Sequence, residues 1–165
     1  MAISAFAALW FIPFVVPICF YVAYTDLAFM KITNKAVLAM GTVYVFVGPF
    51  VLPDQIQYAW GFVSFAVVLV IGMVLNAAST MGAGDAKFLA FAAPFVAPAD
   101  AILVLMALGA VTLAAVITHR AVRASPLRAI APDWESWHQG KRFPLGLALG
   151  PTLALYLCLG ALNGA

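Results

Sequence analysis

The stretch AFAALWFIPFVVPICFYVAY, residues 5–24, decides the fold class of this chain. A membrane-spanning helix needs ~20 predominantly apolar residues, and this stretch supplies that length without a charged side chain. Four further runs do so approximately, at residues 36–52, 59–78, 101–118 and 145–162. The chain has 165 residues, of which 66% are hydrophobic and 8% charged, against an apolar share of ~45–50% in soluble domains. We therefore predict an all-α, polytopic membrane protein with a single domain over residues 1–165.

A sixth apolar run, residues 88–97, is too short to cross a bilayer alone. It becomes long enough if its helix begins at Gly84 or Asp85 and ends at Pro98, because proline cannot continue the hydrogen-bond ladder of a helix. We expect six spanning helices. Five spans with a re-entrant segment over residues 84–97 are the alternative.

The positions of the basic residues support six spans. With that count, all eight fall in the first, third and fifth connections: Lys31, Lys35, Lys87, Arg120, Arg123, Arg128, Lys141 and Arg142. The positive-inside rule then places these connections in the cytoplasm and both termini on the other side. A net charge of only +2 without a basic patch speaks against nucleic-acid binding.

Two acids are the candidate catalytic residues. Asp26 closes the first apolar run and Asp85 opens the fourth helix, so both lie at the same, cytoplasmic, rim. A charge at bilayer depth costs ~2.5 kcal/mol or more, which makes such acids functional candidates. Two carboxylates that share one proton can activate water and protonate a peptide carbonyl. They need no metal, and the sequence has no His, Cys and Glu spacing typical of a metal site.

Four residues are expected to support this pair. Gly82 and Gly84 allow a neighbouring backbone to approach closely. Lys87 follows Asp85 by two positions and so does not share its helix face; we expect it near lipid headgroups or substrate. Asn34 is placed to cap the second helix.

The other polar residues and the cysteines are expected to have ordinary structural roles. Asn76 is placed to hydrogen-bond across helices, and Trp134 and Trp137 indicate an interfacial segment. Small buried apolar groups are expected at Cys19 and Cys158. Solvated positions are expected for Asp54, Asp100, His119, Asp133, Glu135 and His138.

Three segments carry a resemblance to a known family. They are Asp26-Leu27-Ala28-Phe29-Met30-Lys31-Ile32-Thr33-Asn34, Gly82-Ala83-Gly84-Asp85-Ala86-Lys87 and Lys141-Arg142-Phe143-Pro144-Leu145-Gly146. They closely resemble the type IV prepilin peptidases, a GxGD class of aspartic membrane protease. The resemblance implies that Asp26 and Asp85 form the catalytic pair, with no cofactor. It also implies a multi-pass protein of the bacterial inner membrane that removes the short basic leader of a prepilin at the cytoplasmic face.

Two departures from the family pattern refine this expectation. Many members have proline where Thr33 stands, and larger members carry a cytoplasmic insertion with paired Cys-x-x-Cys and a second, N-methylating activity. This chain lacks that insertion and resembles the minimal, Flp-type members, so we expect a peptidase without methyl transfer. The alternatives are a small proton-coupled transporter, or a non-catalytic membrane subunit of a secretion or pilus system.

Overall fold

The computed structural model describes residues 1–140 and 142–165, and these are helical without any strand. Six α-helices follow one another along the chain. They are α1 (Ala5–Phe29), α2 (Asn34–Val51), α3 (Gln55–Ala77), α4 (Ala83–Ala92), α5 (Ala101–Arg123) and α6 (Gly146–Asn163). Short 3-10 turns lie between them, at Ala93–Phe95, Pro98–Asp100, Pro126–Ile130 and Glu135–Trp137.

Five of the helices are long and apolar enough to cross a membrane, and α4 is not among them. The prediction of a helix from Gly84 or Asp85 to Pro98 was therefore wrong in extent. The helix begins at Ala83 and ends at Ala92. Pro94 explains the early end, because it has no N–H to donate to the carbonyl group of Ala90.

The segment that contains α4 nevertheless connects the two ends of the bundle. At one end, Lys87 Nζ donates to Asn34 Oδ1 over 3.1 Å, beside the start of α2. At the other end, Asp100 Oδ2 accepts from the backbone N–H groups of Ala2 and Ile3, just before α1, over 2.8 and 3.2 Å. The chain therefore passes six times between the ends, and its fourth pass consists of a short helix followed by 3-10 turns.

The core of the bundle is organised around α1, which packs most extensively against α6 and then against α2. Gly150 of α6 faces the backbone of Cys19, so closely that even a methyl group would collide with the Cys19 carbonyl group. Small residues at such crossings let membrane helices approach each other. On the outside, many large apolar side chains are exposed, among them Phe50 at 83% and Ile56 at 70%, as expected for lipid-facing surfaces.

Three expectations about polar and cysteine side chains were wrong. Asp100 is buried rather than solvated, because Tyr156 Oη and two backbone N–H groups donate to it. His119 is buried as well, since its ring stacks on Trp137 with centroids 4.7 Å apart. Cys19 is buried as expected, whereas Cys158 lies on the exposed face of α6.

The expectation for Asn76 also differs from the structure, and Trp137 has a partner within its own segment. Trp137 is buried and its indole Nε1 donates to the carbonyl of Ala131 over 2.8 Å, so it belongs to the interior of its segment. Asn76 bonds within its own turn, to the carbonyl of Met81 over 2.9 Å, rather than to another helix. Both side chains bond to residues close in sequence rather than to a neighbouring helix.

Candidate active site

Asp26 lies in the last turn of α1 and is only 6% exposed. Its Oδ2 accepts a hydrogen bond of 2.6 Å from the backbone N–H of Gly146. Gly146 is the first residue of α6. The carboxylate therefore sits at the N-terminus of a helix, where unsatisfied N–H groups and the helix dipole favour negative charge.

Gly146 belongs to one of the three motif segments, but no role is expected for it from the sequence. A Cβ atom built on it would lie 2.9 Å from both Cβ and Oδ2 of Asp26. Only glycine can occupy this position without displacing the acid. Pro144, two residues earlier, is fully buried, and together they explain the Phe-Pro-x-Gly pattern before α6: a fixed turn followed by a helix start without a side chain.

Asp85 is the third residue of α4 and is half-buried. Its carboxylate reaches back to the backbone of Gly82, the N-cap residue of α4. An acid in the first helical turn is favoured there by the positive end of the helix dipole. A Cβ at Gly82 would lie 2.7 Å from Asp85 Oδ2, so this glycine, too, leaves room for the carboxylate.

The fold brings the two predicted acids to the same end of the bundle, because Asp26 lies in the last turn of α1 and Asp85 in the first turn of α4. Gly84 contributes to this arrangement. It lies against Ile32 in the turn after α1, and a Cβ atom built on Gly84 would be 3.3 Å from Ile32 Cβ. The start of α4 can therefore pack directly against the chain segment that follows Asp26.

Lys87 and Asn34, each expected to support the site separately, contact each other, in roles that differ partly from expectation. Thr33, not Asn34, caps α2, and its Oγ1 accepts from the N–H of Ala36 over 3.3 Å. Asn34 is the first residue of α2 and accepts from the exposed Lys87 through its side chain. The bond ties the start of α4 to the start of α2, and it directs the ammonium group to Asn34.

The two ends of the bundle differ in their number of basic residues. The basic residues cluster around the end that holds the two aspartates: the turn after α1, the start of α4, the end of α5 and the chain before α6. Lys141, predicted to belong to this group, lies outside the described residues. Within residues 1–140 and 142–165, no group of three or more His, Cys, Asp or Glu side chains is arranged to hold a metal.

A cavity of about 430 Å³ lies at the opposite end of the bundle. The described residues that line it include the aromatic side chains Phe11, Tyr44 and Trp60 but neither aspartate. Its lining offers no pair of acid and base groups, so we do not assign hydrolytic chemistry to it. Asp26 and Asp85 lie at the other end of the bundle, away from this cavity.

Comparison with known protein families decides the class. The model of the type IV leader peptidase family matches residues 13–118, well over half of the chain. The chain belongs to the type IV leader peptidase family. The matched region of this peptidase contains Asp26 and Asp85 and ends before α6, which supplies the Gly146 contact. No curated protein and no solved structure gives a significant match.

Proposed function

We propose that the protein is an aspartic endopeptidase that removes the basic leader from Flp-type prepilins at the cytoplasmic face of the bacterial inner membrane. The observation that carries the proposal is the convergence of Asp26 and Asp85 at one rim of the bundle. Family membership supports peptidase activity with prepilin-like substrates. The clustering of basic residues at the same rim supports its cytoplasmic orientation.

The two carboxyl groups can complete hydrolysis between them. The ionised one takes a proton from water as the water oxygen bonds to the peptide carbonyl carbon, and the protonated one donates to the carbonyl oxygen. When the tetrahedral intermediate collapses, the C–N bond breaks, the protonated carboxyl group gives its proton to the leaving nitrogen, and the other carboxylate takes a proton from a hydroxyl group of the intermediate as the carbonyl re-forms. One water is consumed, and the pair returns to its singly protonated state. Close carboxylates share a proton in this way because both cannot ionise cheaply.

The arrangement suits a substrate that is itself a membrane helix. Asp85 is only half-buried, so water can reach the pair from the rim. The apolar helix of a prepilin can lie in the bilayer against the enzyme while its leader extends into the cytoplasm. The cut then falls where the substrate emerges from the membrane.

The transporter alternative is less well supported by the interior of the bundle. A proton relay needs polar groups across the membrane. Asp100 and Tyr156 form a polar cluster at the far end, where Phe11 also packs on Phe95 with ring centroids 4.9 Å apart. On α6 between Tyr156 and Gly146, the buried polar side chain among the described residues is Thr152, and its Oγ1 donates within the same helix to the Ala148 carbonyl over 2.7 Å.

Substitution of each acid tests the proposal. In cells that express a Flp-type prepilin, Asp26→Asn or Asp85→Asn should lower leader removal at least ~100-fold, because one proton-transfer group is lost. Asp133→Asn, an exposed acid on the connection before α6, is the matched control and should cleave normally. Leader removal is measured by mass spectrometry, alongside the membrane level and melting temperature of each variant. Normal cleavage by either of the first two variants would refute the assignment.

We also infer that the enzyme does not methylate its product. The reason is the minimal length of the connections, which leaves no insertion with paired Cys-x-x-Cys. The mature pilin released by the purified enzyme should retain a free N-terminal amine when S-adenosylmethionine is supplied as methyl donor. Intact-mass measurement checks this, and a product heavier by one methyl group would contradict it.

A further inference from the structure

A second charged cluster lies outside the aspartate site, at the end of α5. Arg120, Arg123 and Arg128 line a cavity of about 360 Å³ together with Ala124 and Gly140. We call it the arginine pocket. No acidic side chain is among the described residues that line it. Among the described residues, the three guanidinium groups donate a single hydrogen bond, from Arg123 Nη1 to the carbonyl of Gly140 over 3.0 Å.

A structural role in capping α5 does not account for these arginines. The last carbonyl groups of a helix need donors, and two of those in α5 already have donors that are not arginines. The N–H of Ala124 donates to the Arg120 carbonyl over 3.1 Å, and the N–H and Oγ of Ser125 donate to the Val122 carbonyl over 3.0 and 2.9 Å. Most guanidinium donors of the pocket are therefore free for an acceptor from outside the chain.

Three like charges around one cavity repel each other unless an anion lies between them. Arg123 and Arg128 are half-buried, which limits how far they can turn away. Guanidinium groups match the geometry of phosphate oxygens and bind them through paired hydrogen bonds. The chemistry of the pocket thus favours a phosphate group.

The surroundings favour a lipid as the source of that phosphate. The 3-10 helix Pro126–Ile130, which carries Arg128, also exposes two large apolar side chains, Leu127 at 57% and Ile130 at 82%. It directly follows a helix long enough to cross the membrane. Basic groups beside exposed apolar ones are typical of segments that lie at the boundary of headgroups and acyl chains.

We propose that the arginine pocket binds the phosphate of an anionic phospholipid, with Leu127 and Ile130 inserted among the acyl chains. An anionic headgroup balances the positive charge of the pocket, whereas a zwitterionic one brings its own ammonium group. The bound lipid also fixes the segment before α6 in place. That segment packs on the end of α1, since Trp134 contacts Tyr24 with ring centroids 6.3 Å apart, two residues from Asp26.

Tryptophan fluorescence provides a direct binding test. The chain has four tryptophans, and Trp10→Phe with Trp60→Phe leaves only Trp134 and Trp137 beside the pocket. This protein, in a neutral detergent, is titrated with short-chain phosphatidylglycerol, with phosphatidylcholine of equal chain length, and with inorganic phosphate. We expect a saturable change with phosphatidylglycerol, at least about tenfold weaker binding of phosphatidylcholine, and no saturation by phosphate.

Variants locate the site. Arg123→Gln and Arg128→Gln should each weaken phosphatidylglycerol binding about tenfold, the value of one charge-assisted hydrogen bond. Arg142→Gln removes the same charge from the same connection outside the pocket and should bind normally. Melting temperatures confirm that each variant is folded. The readout requires no cleavage, so it stands or falls separately from the proposed peptidase activity.

Four results would overturn the lipid assignment. They are equal binding of the two lipids, equal weakening by Arg142→Gln and Arg128→Gln, saturation by inorganic phosphate at the same concentration, and saturation by a glutamate-rich peptide but by neither lipid. The last result would assign the pocket to a peptide partner instead.

Discussion

At the scale of single residues, Gly146 is the most sensitive position next to the aspartates. Its N–H holds Asp26 Oδ2, and an added methyl group would press on the same carboxylate. We expect Gly146→Ala to reduce cleavage at least ~10-fold, because a displacement of about 1 Å at a reacting group can cost up to ~100-fold in rate. Cleavage rates of purified protein, with folding checked by thermal unfolding, provide the measurement.

Gly109 offers the matched control for this substitution. It lies in α5, and a Cβ built on it meets nothing within 4 Å. Gly109→Ala should leave cleavage unchanged and stabilise the helix by up to ~1 kcal/mol. Equal activity of the two alanine variants would show that the Gly146 contact does not position Asp26.

The two acids could be predicted from sequence, but their closest contacts could not. Charged groups are rare in apolar runs, so Asp26 and Asp85 stand out, and the segregation of basic residues places them at one end. The bond from Gly146 to Asp26 joins residues 120 positions apart. Only the packing of α6 on α1 creates it, and no local pattern reports that packing.

At the scale of elements, Asp100 joins three parts of the chain. Its Oδ2 accepts from the N–H groups of Ala2 and Ile3 before α1, and from Tyr156 Oη of α6 over 2.9 Å. Asp100→Ala would leave these donors without a partner in a buried place, each costing ~1–3 kcal/mol. We expect a loss of about 3 kcal/mol or more in the free energy of unfolding, measured by denaturation in detergent.

Asp54 is the control at the same end of the bundle. It is exposed and caps α3, where its Oδ1 accepts from the N–H of Gln57 over 2.6 Å. Asp54→Ala should cost only ~1 kcal/mol, the usual value of an N-cap. If Asp100→Ala were no more destabilising than Asp54→Ala, the three-way connection would have no role in holding the elements together.

The sequence predicts some of the elements correctly and not others. Long apolar runs predict α1, α2, α3, α5 and α6 well, because length and composition suffice for a spanning helix. The predicted end of α4 was wrong because the prediction placed it at Pro98, whereas Pro94 comes first in the sequence and ends the helix. Asp100 and His119 looked like surface groups, since the partners that bury them, Tyr156 and Trp137, lie on other elements.

At the scale of the whole molecule, the two ends of the bundle carry different sets of polar residues. One end collects the basic residues, both aspartates and the arginine pocket, and the other is held together by the Asp100 bonds. Phe11, Tyr44 and Phe95 pack together near that second end. The proposed reaction depends on a single consequence of this plan: the two passes through α2 and α3 return the chain from Asp26 to the same rim at Asp85.

Chemical cross-linking measures that consequence directly. In a background with Cys19→Ala and Cys158→Ala, the pair Asp26→Cys and Asp85→Cys is treated with a short bis-methanethiosulfonate reagent, and bridged peptides are quantified by mass spectrometry. The control pair, Asp26→Cys and Asp54→Cys, places the second thiol beyond the full length of α2, at the far end. We expect bridging of the first pair and none of the second. Absence of a bridge between positions 26 and 85, when both thiols react singly with the reagent, would contradict this expectation.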